Sequence, residues 1–182
     1  MIKKLKKGFT LVELLIAVTL FTVIASFSIG AVLSIFDANR RAQSTKTVVD
    51  NLNLSIESMA RNVRFGGSYY CGVNSNLTST SNCPNGGDAL SVTFNNARII
   101  YRKFPSTGEG SIQKSENGGT SYSDITSLDT KIQYLKFYVF NTDNDGEQPY
   151  VIVVMKGYVG NKATVQSSFT IQTLMSQRQL DI

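Results

Sequence analysis

The sequence contains no histidine and no tryptophan, and only two of its 182 residues are cysteines. Histidine is the usual general base and a common zinc ligand near neutral pH. Its absence therefore excludes His-dependent catalytic triads and His-containing zinc sites. No motif of a Ser-Lys or paired-carboxylate enzyme is present either. The sequence predicts no enzymatic activity, no catalytic residue and no bound cofactor or metal.

Basic residues are scarce outside the N-terminus. The formal net charge is +5, but four of the 18 basic side chains are lysines among the first seven residues. Without those lysines, 14 basic side chains face 13 acidic ones, and the longest basic run is Arg40-Arg41. A nucleic-acid-binding domain needs a basic patch, so we expect no direct contact with nucleic acid.

Near the N-terminus the sequence has a long apolar segment. It runs from Phe9 to Phe36, 28 residues in which Glu13 is the only charged side chain. A helix of this length rises about 42 Å, and a bilayer core needs only about 20 residues. An ordinary secretory signal has its cleavage site after the apolar stretch, whereas here the small residue Gly8 precedes it. A cut after Gly8 would leave the membrane-spanning helix on the mature protein.

This segment has two possible interpretations, a simple membrane anchor and a helix that is released by a cut after Gly8. A simple membrane anchor explains the lysines by the positive-inside rule, but it gives no reason for a carboxylate inside an apolar helix. Such a group costs about 2.5–3.5 kcal/mol at mid-bilayer and usually marks a function. If the chain were cut after Gly8, the new amine of Phe9 would lie one helical turn from Glu13 and could pair with the Glu13 of a neighbouring subunit.

The stretch Lys-Gly-Phe-Thr-Leu-Val-Glu-Leu-Leu-Ile, residues 7–16, resembles the signal of type IV pilins and type II secretion pseudopilins. The resemblance implies that prepilin peptidase cuts after Gly8 and methylates Phe9, and that Glu13 is the acidic fifth residue used in assembly. It also implies a single-pass protein of the cytoplasmic (inner) membrane, with its globular domain in the periplasm or outside the cell. The expected partners are other pilins or pseudopilins, the peptidase and the inner-membrane assembly platform.

Three further stretches loosely resemble J-type minor pseudopilins and W-type minor pilins; they are Ser58–Arg64, Gly87–Phe94 and Phe169–Asp181. This resemblance implies a minor subunit at the tip of a type II secretion pseudopilus, bound to I- and K-type partners above the major subunit. Glu13 argues against the K-type itself, which lacks that carboxylate. The alternative is a minor pilin of a type IV pilus that serves DNA uptake, adhesion or motility. An unrelated membrane-anchored adhesin is a third reading, and it would not depend on the peptidase.

The rest of the chain predicts an α+β fold, in which a long N-terminal helix packs on an antiparallel β-sheet domain. An apolar stripe at steps of three and four continues past the membrane segment; its members are Ile35, Ala38, Ala42, Thr45, Val49, Leu52, Ile56, Met59 and Val63. Gly66-Gly67 would end this helix. The clearest predicted strands cover 89–94, 98–103, 131–141, 150–155 and 164–174. The expected organisation is a leader (1–8), a spanning helix (9–36), an amphipathic continuation (37–66) and a β-rich domain (67–182).

Two local features carry separate predictions. Cys71 and Cys83 flank a polar segment, and export to an oxidising compartment would favour a disulfide between them, although two free thiols remain the alternative. Asn141–Glu147 copies the first half of an EF-hand loop, but the twelfth position, which needs a bidentate glutamate, is Ile152. We therefore expect a hairpin turn here, and calcium binding is the alternative.

Overall fold

The computed structural model describes residues 8–72, 80–142, 147–160 and 166–178. Its first element is helix α1, Leu11–Phe65, which is 55 residues long. Contacts divide the chain into two compact units, one ending at Ala42 and the other beginning at Gln43. A helix over residues 11–65 meets no proline, so its backbone hydrogen-bond ladder is not broken from within.

Within the first unit, residues 9–36 carry a single charged side chain, that of Glu13. From Phe9 to Phe36 nearly every side chain is exposed, and the helix is long and apolar enough to cross a membrane. The hydroxyl groups of Thr19, Ser26 and Ser28 each donate to a carbonyl oxygen one turn earlier. These three hydroxyl groups therefore need no hydrogen-bond partner from lipid.

The described residues of the second unit form nine strands in two antiparallel sheets. Their bounds are β1 Gly67–Cys71, β2 Cys83–Gly87, β3 Ala89–Phe94, β4 Ala97–Phe104, β5 Ser111–Ser115, β6 Ser123–Asp124, β7 Thr130–Phe140, β8 Tyr150–Val159 and β9 Ser167–Ser176. One sheet has the order β1-β3-β4-β5-β6 and the other β2-β7-β8-β9. The predicted α+β class is confirmed, but the β domain has two sheets where the sequence suggested one.

One hydrophobic core joins α1 to both sheets. It contains Leu52, Met59 and Val63 from the helix, together with apolar residues of β3, β4, β7 and β8. These three positions belong to the predicted apolar stripe, so that part of the stripe is confirmed. The stripe does not pack along its whole length, however, because Val49 is 49% exposed.

The end of α1 is fixed by a close backbone approach at Gly66. A Cβ atom at Gly66 would collide with the carbonyl oxygens of Asn62 and Thr93 and with the side chain of Val92. The Gly66 carbonyl accepts hydrogen bonds from the Tyr69 hydroxyl at 2.9 Å and from Gln177 Nε2 at 3.1 Å. These bonds serve a carbonyl that the helix itself leaves unpaired, and the helix ends where the sequence predicted.

Strand predictions were right for β3, β4, β7 and β8, although β8 continues four residues beyond the predicted Met155. The predicted strand 164–174 corresponds to β9; its first two residues lie outside the described part of the chain. The sequence did not predict β1, β2, β5 or β6. The sequence of β2, Cys-Pro-Asn-Gly-Gly, is turn-like, and it is extended because it pairs with β7.

Candidate processing and assembly site

Gly8 and Phe9 lie immediately before α1 and are open to solvent. Phe9 is 84% exposed, and a Cβ atom built on Gly8 would have no atom within 4 Å. Among the described residues, no packing contact therefore requires glycine at position 8. The Gly8–Phe9 peptide bond is accessible to an enzyme on the N-terminal side of a helix that begins at Leu11.

Thr10 and Glu13 form a capping box at the start of α1. The amide and the hydroxyl of Thr10 each donate to Glu13 Oε2 at 3.0 Å, and the Glu13 amide donates back to Thr10 Oγ1 at 3.3 Å. This reciprocal pair satisfies amide groups that a helix N-terminus leaves unpaired. It also places a negative charge at the positive end of the helix dipole.

The sequence reading missed Thr10, although the pattern Thr-x-x-Glu at residues 10–13 is a sequence signature of this box. The capping box matters for the interpretation because it gives Glu13 a structural role even in a simple membrane anchor. The two printed bonds to the carboxylate both end on Oε2. Within the described residues, Glu13 Oε1 has no hydrogen-bond donor and is open to a group from outside the chain.

Cys71 and Cys83 are joined by a disulfide in the structure, with their Cα atoms 6.0 Å apart. Cys71 ends β1 and Cys83 begins β2, so the bond connects one sheet to the other. Gly87 makes room for it, because a Cβ atom at Gly87 would lie 2.8 Å from Cys71 Cβ. Residues 73–79 of the intervening segment lie outside the described part of the chain.

The EF-hand-like stretch is described only at its two ends, because residues 143–146 lie outside the described ranges. Asn141 has a positive φ of 55°, and its Nδ2 donates to Glu147 Oε2 at 2.8 Å. Ile152 is part of β8. An apolar side chain therefore occupies the position from which an EF-hand would supply its bidentate carboxylate.

Comparison with known proteins gives one family match. The model of the prokaryotic N-terminal methylation motif matches residues 3–29, a range that includes Gly8, Phe9 and Glu13. No curated protein and no solved structure matches the chain. The motif indicates processing by prepilin peptidase and assembly with other pilin subunits, and the apolar helix fits anchoring in the inner membrane. Together with the long N-terminal helix and the α+β architecture, this motif fits a type IV pilin-like protein.

Proposed function

We propose that this protein is a minor subunit at the tip of a type II secretion pseudopilus and acts early in its assembly. The observation that carries the proposal is the arrangement around Gly8. An exposed Gly8–Phe9 peptide bond lies inside the matched methylation motif and precedes a capped helix, in which Glu13 is the only charged residue up to Phe36. Prepilin peptidase would remove residues 1–8, methylate Phe9 and leave the helix in the membrane.

Assembly would use the two oxygens of Glu13 for different purposes. Oε2 holds the capping bonds to Thr10 of the same chain, and Oε1 would accept the cationic N-terminal amine of a neighbouring subunit. Charge-assisted hydrogen bonds are about twice as strong as neutral ones, and an apolar bundle would screen this pair little. The apolar side chains of residues 9–36 would then exchange lipid contacts for contacts with neighbouring helices.

A minor role fits two features of the chain better than a major role. Major type IV pilins often have a proline near the position of Gly30, and this chain has none there. The stretches at 58–64, 87–94 and 169–181 resemble J-type and W-type minor subunits in the expected order. The partners under this proposal are I- and K-type minor subunits, the major subunit and the assembly platform. The protein itself would be structural and non-enzymatic.

The W-type resemblance favours a second candidate, a minor pilin of a type IV pilus. Both candidates share the processing site and the membrane helix, so they differ in partners and in phenotype. Deletion of the gene separates them. Under our proposal, secretion of folded exoproteins falls and returns with the complementing gene, while twitching motility and DNA uptake are unchanged. Normal secretion with lost motility or DNA uptake would overturn the secretion proposal in favour of the pilus.

A second experiment tests the tip assignment directly. Solubilised membranes that contain the tagged chain should yield the I- and K-type subunits in amounts comparable to the chain itself. The matched control is a tagged major subunit, which should carry far less of both. Equal recovery of these partners with the two baits would contradict the tip assignment.

A further inference from the structure

The part of α1 that packs on the β domain carries a regular row of exposed residues on its other side. The row advances by three or four residues at each step, which keeps its members on one face of the helix. We call it the outer stripe, and its members are Lys46, Asp50, Leu54, Glu57, Arg61 and Phe65. Leu54 is 66% exposed and Phe65 53% exposed. The helix residues of the core, Leu52, Met59 and Val63, do not belong to this stripe.

The four charges of the outer stripe are used little within the chain. Glu57 and Arg61 form an ion pair at 3.9 Å, and both side chains are largely exposed. A surface pair this long and this exposed adds little to stability. Among the described residues, neither Lys46 nor Asp50 takes part in an ion pair. The stripe can therefore accept opposite charges from another molecule.

A parallel copy of the same helix is complementary to the outer stripe when it is staggered by four residues. Asp50 of one copy then lies level with Lys46 of the other, and Arg61 lies level with Glu57. Both pairs join opposite charges, which attract each other. Without a stagger every charge meets its own copy, and with a seven-residue stagger Glu57 meets Asp50. Both of those registers bring like charges together.

The apolar segment favours the four-residue stagger over a longer one. An eleven-residue stagger also brings opposite charges level, Glu57 with Lys46 and Arg61 with Asp50, but it displaces the two copies by roughly 16.5 Å along the helix. Residues 9–36 are 28 residues long and exceed the bilayer core by only about 8 residues, or about 12 Å. A four-residue stagger displaces the copies by about 6 Å, so both still span the bilayer.

We propose that α1 of this chain binds α1 of a second copy through the outer stripe, with the two helices parallel and staggered by four residues. Four residues turn a helix by one full turn and about 40° more. Asp50 and Arg61 therefore face a neighbour on one side, whereas Lys46 and Glu57 face a neighbour on the other. A contact between two different patches of this kind is heterologous, and the stagger gives it a direction along the helix.

This contact preserves the common direction of the membrane helices and covers apolar surface. A neighbouring helix on the outer stripe would remove part of Leu54 and Phe65 from water. Glu13 follows Phe9 by four residues, so a pairing of Glu13 with the N-terminal amine of a neighbour needs the same stagger. Two adjacent copies suffice for the contact, which makes it compatible with a minor subunit. The proposal does not depend on cleavage or on the assignment to secretion.

Disulfide cross-linking in membranes measures the stagger with full-length chains. One tagged copy carries Lys46→Cys, and it is co-expressed with a differently tagged copy that has a cysteine at position 46, 50 or 57. The three pairs report staggers of zero, four and eleven residues, and all three positions are exposed. The native cysteines are already paired with each other. After oxidation, we expect severalfold more mixed disulfide from the 46–50 pair than from the 46–46 or the 46–57 pair.

Equal yields from the three pairs would overturn the proposal, because the helices would then have no preferred register. A dominant 46–57 disulfide would overturn the four-residue stagger. A dominant cross-link to a different protein would overturn the choice of a second copy as the occupant of the stripe.

A charge exchange tests the same register through a second pair of positions. The reporter is the mixed disulfide between Arg61→Cys on one copy and Glu57→Cys on the other. Lys46→Asp on both copies makes its contact with Asp50 repulsive and should lower the reporter yield severalfold. The matched control adds Asp50→Lys, which exchanges the two charges and should restore the yield. An unchanged yield with Lys46→Asp alone, or a yield that stays low after the exchange, would contradict the proposal.

Discussion

Thr10 and Glu13 hold each other at the first turn of α1, with the Thr10 amide and hydroxyl both 3.0 Å from Glu13 Oε2. This contact gives Glu13 a role within a single chain. A carboxylate in an apolar helix is therefore not by itself proof of an intersubunit partner. Any test of the assembly role must separate the charge of Glu13 from its function as a cap.

Two substitutions at Glu13 make that separation. Glutamine can take the place of glutamate in a capping box, so Glu13→Gln removes the charge and keeps the cap, whereas Glu13→Ala removes both. We expect both variants to be cleaved and both to be incorporated poorly into filaments, because each has lost the partner of the N-terminal amine. Incorporation is measured as the variant's share in sheared or purified filaments.

Thr10→Ala is the matched control for this pair. It should weaken the helix start by about 1 kcal/mol and leave the charge of Glu13 in place, so incorporation should stay close to that of the unmodified chain. If Glu13→Gln assembles normally while Glu13→Ala and Thr10→Ala do not, Glu13 acts as a cap and the charge-pairing account is wrong.

Substitution of Gly8 tests whether the peptidase, rather than the fold, requires glycine. A Cβ at Gly8 meets nothing within 4 Å, so Gly8→Ala should leave expression and membrane insertion unchanged while it blocks cleavage. Gly30→Ala is the control, since a Cβ at Gly30 is equally unhindered and alanine favours a helix by about 1 kcal/mol. Immunoblotting should show a full-length chain for the first variant and a processed chain for the second. Cleavage of Gly8→Ala at the normal rate would argue against a peptidase that recognises this position.

Loss of the disulfide should lower the stability of the β domain. In the chain-entropy model a loop of this size contributes about 3 kcal/mol, and for a protein of this size 1 kcal/mol shifts Tm by roughly 2–4 °C. The double variant Cys71→Ser with Cys83→Ser should therefore melt roughly 6–12 °C below the unmodified chain. Reductant should lower Tm of the unmodified chain by a similar amount and leave the variant unchanged. Two alkylatable thiols in the folded, unreduced protein would show instead that the cysteines are free.

The two glycines after α1 should respond very differently to alanine. At Gly66 a Cβ would collide with the carbonyl oxygens of Asn62 and Thr93, whereas at Gly67 the nearest atom is 3.8 Å away. We expect Gly66→Ala to cost more than about 2 kcal/mol of stability and Gly67→Ala to stay within about 1 kcal/mol. Denaturant melts of the full chain in detergent measure both values. Equal stability of the two variants would mean that the helix end is less tightly packed than the structure indicates.

The sequence was sufficient for the elements whose hydrophobic pattern is local. The buried alternation of Leu135, Phe137 and Val139 predicts β7, and Gly66 marks the end of α1. The sequence was insufficient for the elements whose structure depends on tertiary contacts. Strand β2 is built from turn-forming residues, and its extended shape depends on its pairing with β7. The division into two sheets is a property of strand pairing that no single segment carries.

The candidate site could also be predicted where its sequence signal is local. Gly8, Phe9 and Glu13 could be predicted as a site because the motif is contiguous in sequence, and the methylation-motif model matches residues 3–29, which include all three. Thr10 carries a local signal as well, since its three-residue spacing to Glu13 is typical of a capping box.

Under the proposed function, prepilin peptidase converts this chain into a methylated subunit with an apolar N-terminus. The most direct measurement is the intact mass of the full-length chain after co-expression with an active peptidase or with its inactive variant. We expect loss of Met1–Gly8 and addition of one methyl group at Phe9, in the presence of the active enzyme alone. An identical, uncleaved mass in both samples would contradict it and leave a membrane-anchored β domain whose Glu13 serves only to cap its helix.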